Sequence, residues 1–92
     1  MEFEMGYLRA DGVVYEVVDG KAMLVDLAGK ELLTLNTVGT LIWNTLPEYG
    51  DPATMALHLV THFKDVTVDE LEGDIRGFLR ELAELGLLVS DD

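Results

Sequence analysis

The stretch KELLTLNTVGTLIW, residues 30–43, changes its hydrophobic period halfway along, and that change constrains the fold more than any other feature. Leu33 and Leu35 alternate with Leu32 and Thr34, the two-residue rhythm of a strand. After Asn36 and Thr37 the apolar residues fall at Val38, Leu41, Ile42 and Leu46, which is helical spacing. A strand must therefore run straight into a helix. Every later apolar stretch also reads as helix, so the sequence offers no later strand to lie along the far side of Glu31–Leu35. What covers that edge is the question the rest of the chain has to answer.

Upstream, VVYEVV at residues 13–18 is β-branched and aromatic, hence strand-forming. Asp19-Gly20 follows, a dipeptide that tolerates the positive φ of a tight hairpin turn. Residues 21–27, KAMLVDL, form a second strand, and Ala28-Gly29-Lys30 turns the chain into the third. Three strands joined by short turns make an antiparallel meander. Ahead of it Phe3, Met5 and Tyr7 alternate, so the arm of residues 1–12 is either a weaker fourth strand or an ordered extension.

Downstream, Asn36 or Thr37 caps a first helix that stops near Pro47. Asp51-Pro52 places a capping carboxylate before a Pro at the first helical position. The second helix it opens ends near Phe63, with Met55, Ala56, Leu59, Val60 and Phe63 as its core stripe. Thr67 and Glu70 form a T-x-x-E capping box before the longest helix. There Leu71, Ile75, Phe78, Leu82 and Leu85 fall within about a 100° arc, a wide core-facing stripe. Gly86 suits the left-handed position that ends it. The expected architecture is a single α+β domain over residues 1–92, with the sheet in 13–35 and three helices in 36–86 packed on one sheet face.

A three-stranded meander with three helices is also the parts list of a winged helix, whose usual ligand is DNA. Charge argues against that use. Eighteen acids against six bases give a net charge of −12, and from Asp65 onward nine acids face only Arg76 and Arg80. Such a field repels phosphate backbones, so nucleic acid is excluded as an expected partner. Either the acids keep a small apolar domain in solution, or they complement a partner that carries basic residues. The apolar runs are too short to span a bilayer, and the first ten residues hold Glu2, Glu4 and Arg9 rather than a signal-peptide core. No membrane association is expected, and the chain reads as cytoplasmic. The absence of cysteine removes disulfides, thiolate metal sites and a cysteine nucleophile together.

No catalytic constellation is legible. His58 and His62 have the spacing of two metal ligands on a helix, with Asp65 nearest as a third, but the H-E-x-x-H pattern is lacking. Both flank the apolar stripe, as two surface histidines at a helix edge would. Ser90 is the only serine, and Glu70/Asp74 and Glu81/Glu84 are acid pairs common on solvated helices. Gly6, Gly73 and Gly77 belong to no phosphate-binding loop. No metal or cofactor is expected. Trp43 lies off the centre of the first helix's apolar stripe, on the side of Gly39. It is either a core residue of a helix buried almost all round, or an anchor for a protein contact.

The pattern Leu35-Asn36-Thr37-x-Gly39-x-x-Ile42-Trp43-x-x-Leu46, preceded by hairpins and followed by Phe78-Leu79-x-x-Leu82-x-x-x-Gly86-Leu87-Leu88, resembles the PqqD-like proteins. These are precursor-recognition elements of ribosomally made, modified peptides. The likeness covers residues 13–89, and a free-standing acidic chain looks most like the recognition proteins of lasso-peptide pathways. The resemblance implies a non-catalytic adaptor. The leader segment of a precursor peptide would add itself as a strand beside the third strand, in the cleft against the third helix.

That place is the one the strand pattern left vacant. Lys30 stands only at its entrance, and Leu32, Leu33, Thr34 and Leu35 lack the devices that usually blunt an edge, unless the N-terminal arm covers it. Glu31, Leu32, Leu33, Thr34 and Leu35 are thus the expected binding strand, with Leu33 and Leu35 facing the helices. Leu71, Ile75 and Phe78 are the expected opposite wall, and Asp74 pairs with a basic residue of the leader. In lasso pathways the partners would be a leader peptidase and a cyclase, with Trp43 the candidate enzyme contact. The other readings are a winged-helix-like interaction or regulatory subunit, binding a folded partner through Trp43, and more distantly a metal-dependent enzyme.

Overall fold

The computed structural model describes residues 6–26 and 31–90. Their order is β1 (Tyr7–Arg9), β2 (Val13–Val18), β3 (Lys21–Asp26), β4 (Glu31–Thr34), α1 (Thr37–Thr45), α2 (Pro52–Leu59), a 3₁₀ turn (Val60–His62), α3 (Val68–Glu84) and β5 (Leu88–Ser90). The meander expected from the sequence is β2-β3-β4, antiparallel throughout. The hairpin between its first two strands closes as the dipeptide requires, with Asp19 at φ 54° and Gly20 at φ 78°. The turn expected at Ala28-Gly29-Lys30 lies outside the described residues, as does Leu27.

Each helix starts on the cap its sequence announces. Asn36 accepts from Gly39 N at 2.7 Å, Asp51 from Thr54 N at 3.0 Å and Thr67 from Glu70 N at 3.1 Å. The Thr67 hydroxyl also donates to the Glu70 carboxylate at 3.1 Å. Gly86 takes φ 82°, letting Leu87 N return to Leu82 O and end α3.

One expectation is corrected here. The chain does contain a later strand: β5 pairs antiparallel with β1, Leu8 opposite Val89. It leaves β4 alone, because Gly86 turns the chain back towards the N-terminal segment, where Ala10 N meets Leu87 O at 3.0 Å. Tyr7–Arg9 of the arm thus form a true strand in a separate two-stranded ribbon, while Phe3 and Met5 lie outside the described residues.

The core lies between the meander and the helices. Ala22 and Leu24 from β3 meet Ile42, Trp43 and Leu46 of α1, Met55, Ala56 and Leu59 of α2, and Leu71, Ile75, Leu79 and Leu82 of α3. Thr40 is the buried polar residue among them, and its hydroxyl accepts from Ala22 N at 2.8 Å, pinning α1 to β3. No helix among the described residues is long and apolar enough to cross a membrane.

Candidate functional site

Among the described residues, no strand pairs with the outer edge of β4. Which backbone groups it offers follows from the ladder. Leu35 N donates to Ala22 O at 2.8 Å, and β3 aligns Leu24 with Leu33 and Asp26 with Glu31. In an antiparallel pair, alternate residues direct both N–H and C=O to the same side. Residues 31, 33 and 35 therefore spend theirs on β3, while Leu32 and Thr34 turn theirs outward. The hairpin agrees, since Lys21 pairs with Val18 across the two-residue turn and leaves Ala22 and Leu24 to face β4.

Beside this edge lies a cleft of about 400 Å³, floored by Leu33, Leu35 and Ile42 and walled by α3. The wall has a simple angular origin. At 100° per residue, Phe78, Leu85, Asp74 and Glu81 fall within about 60° of one another, on one flank of the buried stripe Leu71-Ile75-Leu79-Leu82. Phe78 is half-buried and Leu85 is 52% exposed, so an apolar surface faces the open strand. Asp74 and Glu81, both exposed, place two carboxylates on the same wall. On the α1 side stand Val38 and Gly39. A Cβ on Gly39 would come within 3.0 Å of Phe78 Cζ, so the missing side chain lets the Phe78 ring lie against α1.

The residues expected from the sequence divide accordingly. Leu33, Thr34, Leu35, Asp74 and Phe78 come together in the cleft. Glu31 opens β4 and pairs with Asp26. Leu32 contributes its outward backbone, but its side chain stands on the opposite sheet face beside Val14 and Val25, 62% exposed. Leu71 and Ile75 are not cleft walls; both are buried in the core, because they occupy the middle of the stripe rather than its flank. Asn36, Val38, Gly39, Ile42, Glu81, Leu82 and Leu85 complete the lining and were not anticipated as site residues.

Of the two readings of Trp43 the core one holds, and the expected enzyme contact is corrected. Trp43 is 0% exposed and so is a core side chain rather than a surface anchor. Its ring meets Tyr15 edge-on, centroids 5.5 Å apart, and the Arg9 guanidinium covers it at 4.5 Å. Arg9 Nη2 donates to the Trp43 carbonyl at 2.6 Å, fastening β1 to α1. His58 and His62 are both exposed, and the His58 ring lies 4.5 Å from that of Tyr49. Among the described residues, no three His, Asp or Glu side chains converge as metal ligands.

Comparison with known proteins adds the following. The family model of coenzyme PQQ synthesis protein D (PqqD) matches residues 21–88. The structure of TbiB1 in complex with the TbiA(beta) leader peptide superposes with a TM-score of 0.79 at 31% identity, covering 87% of this chain and 92% of that one. That of lasso peptide synthetase B1 complexed with the leader peptide gives a TM-score of 0.81 at 24% identity, over 91% and 98% of the two chains, a likeness of fold. No curated protein matches the chain significantly.

Proposed function

The chain belongs to the PqqD family, and on that premise we propose that it is a non-catalytic adaptor for the leader segment of a ribosomally made precursor peptide. The leader binds as an added strand on β4. The observation that carries this reading is the outward backbone of Leu32 and Thr34, unpaired among the described residues, at the mouth of an apolar cleft. Strand addition supplies hydrogen bonds that any sequence can make, and side chains entering the cleft supply selectivity. That TbiB1, a relative at 31% identity, is in complex with a leader peptide supports the choice of ligand. The adaptor then delivers its peptide, in the cytoplasm, to enzymes of the pathway: a leader peptidase and, for a lasso product, a cyclase.

Amide hydrogen exchange tests the binding mode directly. Binders are selected from a library of short random peptides on the immobilised protein, and exchange is followed by NMR with and without the bound peptide. Leu32 and Thr34 amides should gain protection. Leu33 and Leu35, already bonded to β3, should change little. Protection appearing instead along β2, whose outer edge also pairs with no described strand, would move the site to the other side of the sheet.

A further inference from the structure

We propose that the peptide cleft continues over Val38 into a second groove, which receives the peptide end leaving β4 beside Thr34 and seats one of its apolar side chains. This rests on the reading that β4 takes an added strand. The groove, about 340 Å³, lies between the β2–β3 turn at Gly20, the flank of α1 and the end of the 3₁₀ turn. Val38, Leu41 and Phe63 give it an apolar floor, and Asn44 and His62 are exposed polar groups at its rim.

Val38 lines both this groove and the cleft against α3. It stands in the first turn of α1, 43% exposed, and so forms the saddle between the two. The chain connects β4 to α1 through Leu35 and Asn36 alone, so a strand laid along Leu32 and Thr34 is aimed at that saddle. From Val38 to Asn44 the helix rises about 9 Å. An extended peptide covers that distance in about three residues. Past the saddle the peptide has no strand to pair with, and the Asn44 amide and His62 imidazole offer its backbone hydrogen-bond partners instead. The occupant is therefore the same peptide chain, continued, with an aliphatic or aromatic residue within about three positions beyond the one that crosses Val38.

Asn44→Trp tests this, since the side chain is exposed and lines the second groove but not the cleft against α3. A selected peptide that protects Leu32 and Thr34 is prepared whole, and with about three residues removed from one end or the other. Removing the correct end should weaken binding roughly ten-fold, the loss of one buried apolar side chain. Asn44→Trp should weaken the whole peptide by a similar factor and leave the trimmed one unchanged, which also shows that the variant is folded. Equal binding of the whole peptide to parent and variant, or equal weakening of both peptides, overturns the second groove. If no selected peptide protects Leu32 and Thr34, the β4 reading itself fails, and the groove with it.

Discussion

Trp43 shows how a single side chain can hold three elements. It belongs to α1, takes the edge of the Tyr15 ring from β2, and lies under the guanidinium of Arg9 from β1. Arg9 also stands over Tyr15 at 4.6 Å, so the cation contacts both rings while it hydrogen-bonds the helix backbone. Trp43→Ala should cost about 3–5 kcal/mol, a large part of what so small a domain has. Urea denaturation should show a mostly unfolded or strongly destabilised variant, and Trp43→Phe a milder loss; a Trp43→Ala variant as stable as the parent would contradict the core placement. Gly39 acts in the opposite sense, through an absence. Gly39→Ala removes a weak helix former from the first turn of α1 but pushes the Phe78 ring towards the cleft. Thermal stability should hold or rise slightly while peptide affinity falls several-fold, measurable by calorimetry.

At the scale of elements, β4 separates two proline substitutions that look alike in the sequence. Leu33→Pro removes an N–H that serves β3, so it should disrupt the sheet. Thr34→Pro removes an outward N–H, so the domain should stay folded by circular dichroism while peptide binding is lost. Retained binding by a folded Thr34→Pro variant would remove strand addition at this edge. The hairpin and the three helix caps were legible in the sequence because their cues are local, a dipeptide or a residue and its third neighbour. The β1–β5 ribbon was not: each strand has three residues, too few to show a period, and their pairing spans the length of the chain. The candidate binding strand was proposed from an edge without a partner, but which of its residues turn outward needed the ladder. On α3 the misplacement has a definite cause. A wide apolar stripe does not reveal which of its flanks meets the core, so the expected core-facing stripe took in Leu85, which lines the cleft, and left out Leu79, which is buried. Leu71 and Ile75 were given to the cleft by the same ambiguity.

For the whole molecule, the charge of −12 sets a long-range field, and Asp74 and Glu81 bring part of it to the cleft. If a basic leader is steered by that field, association should slow markedly once the Debye length falls below ~8–10 Å, with dissociation little changed. Stopped-flow rates that stay flat with salt would assign the acids to solubility alone, and Asp74→Asn with Glu81→Gln should reproduce part of the slowing at low salt. Duplex DNA should not bind at any salt concentration. The β1–β5 ribbon has a further consequence, for protein engineering. Tyr7 lies opposite Ser90, so the ends of the described chain leave the domain side by side, a few ångströms apart. A short linker joining them should allow the chain to be reopened elsewhere, and the domain to be spliced into a surface loop of a host protein without stretching either. Such insertions would carry the open strand into the host as a portable docking module, its specificity set by the spliced domain rather than by the protein around it.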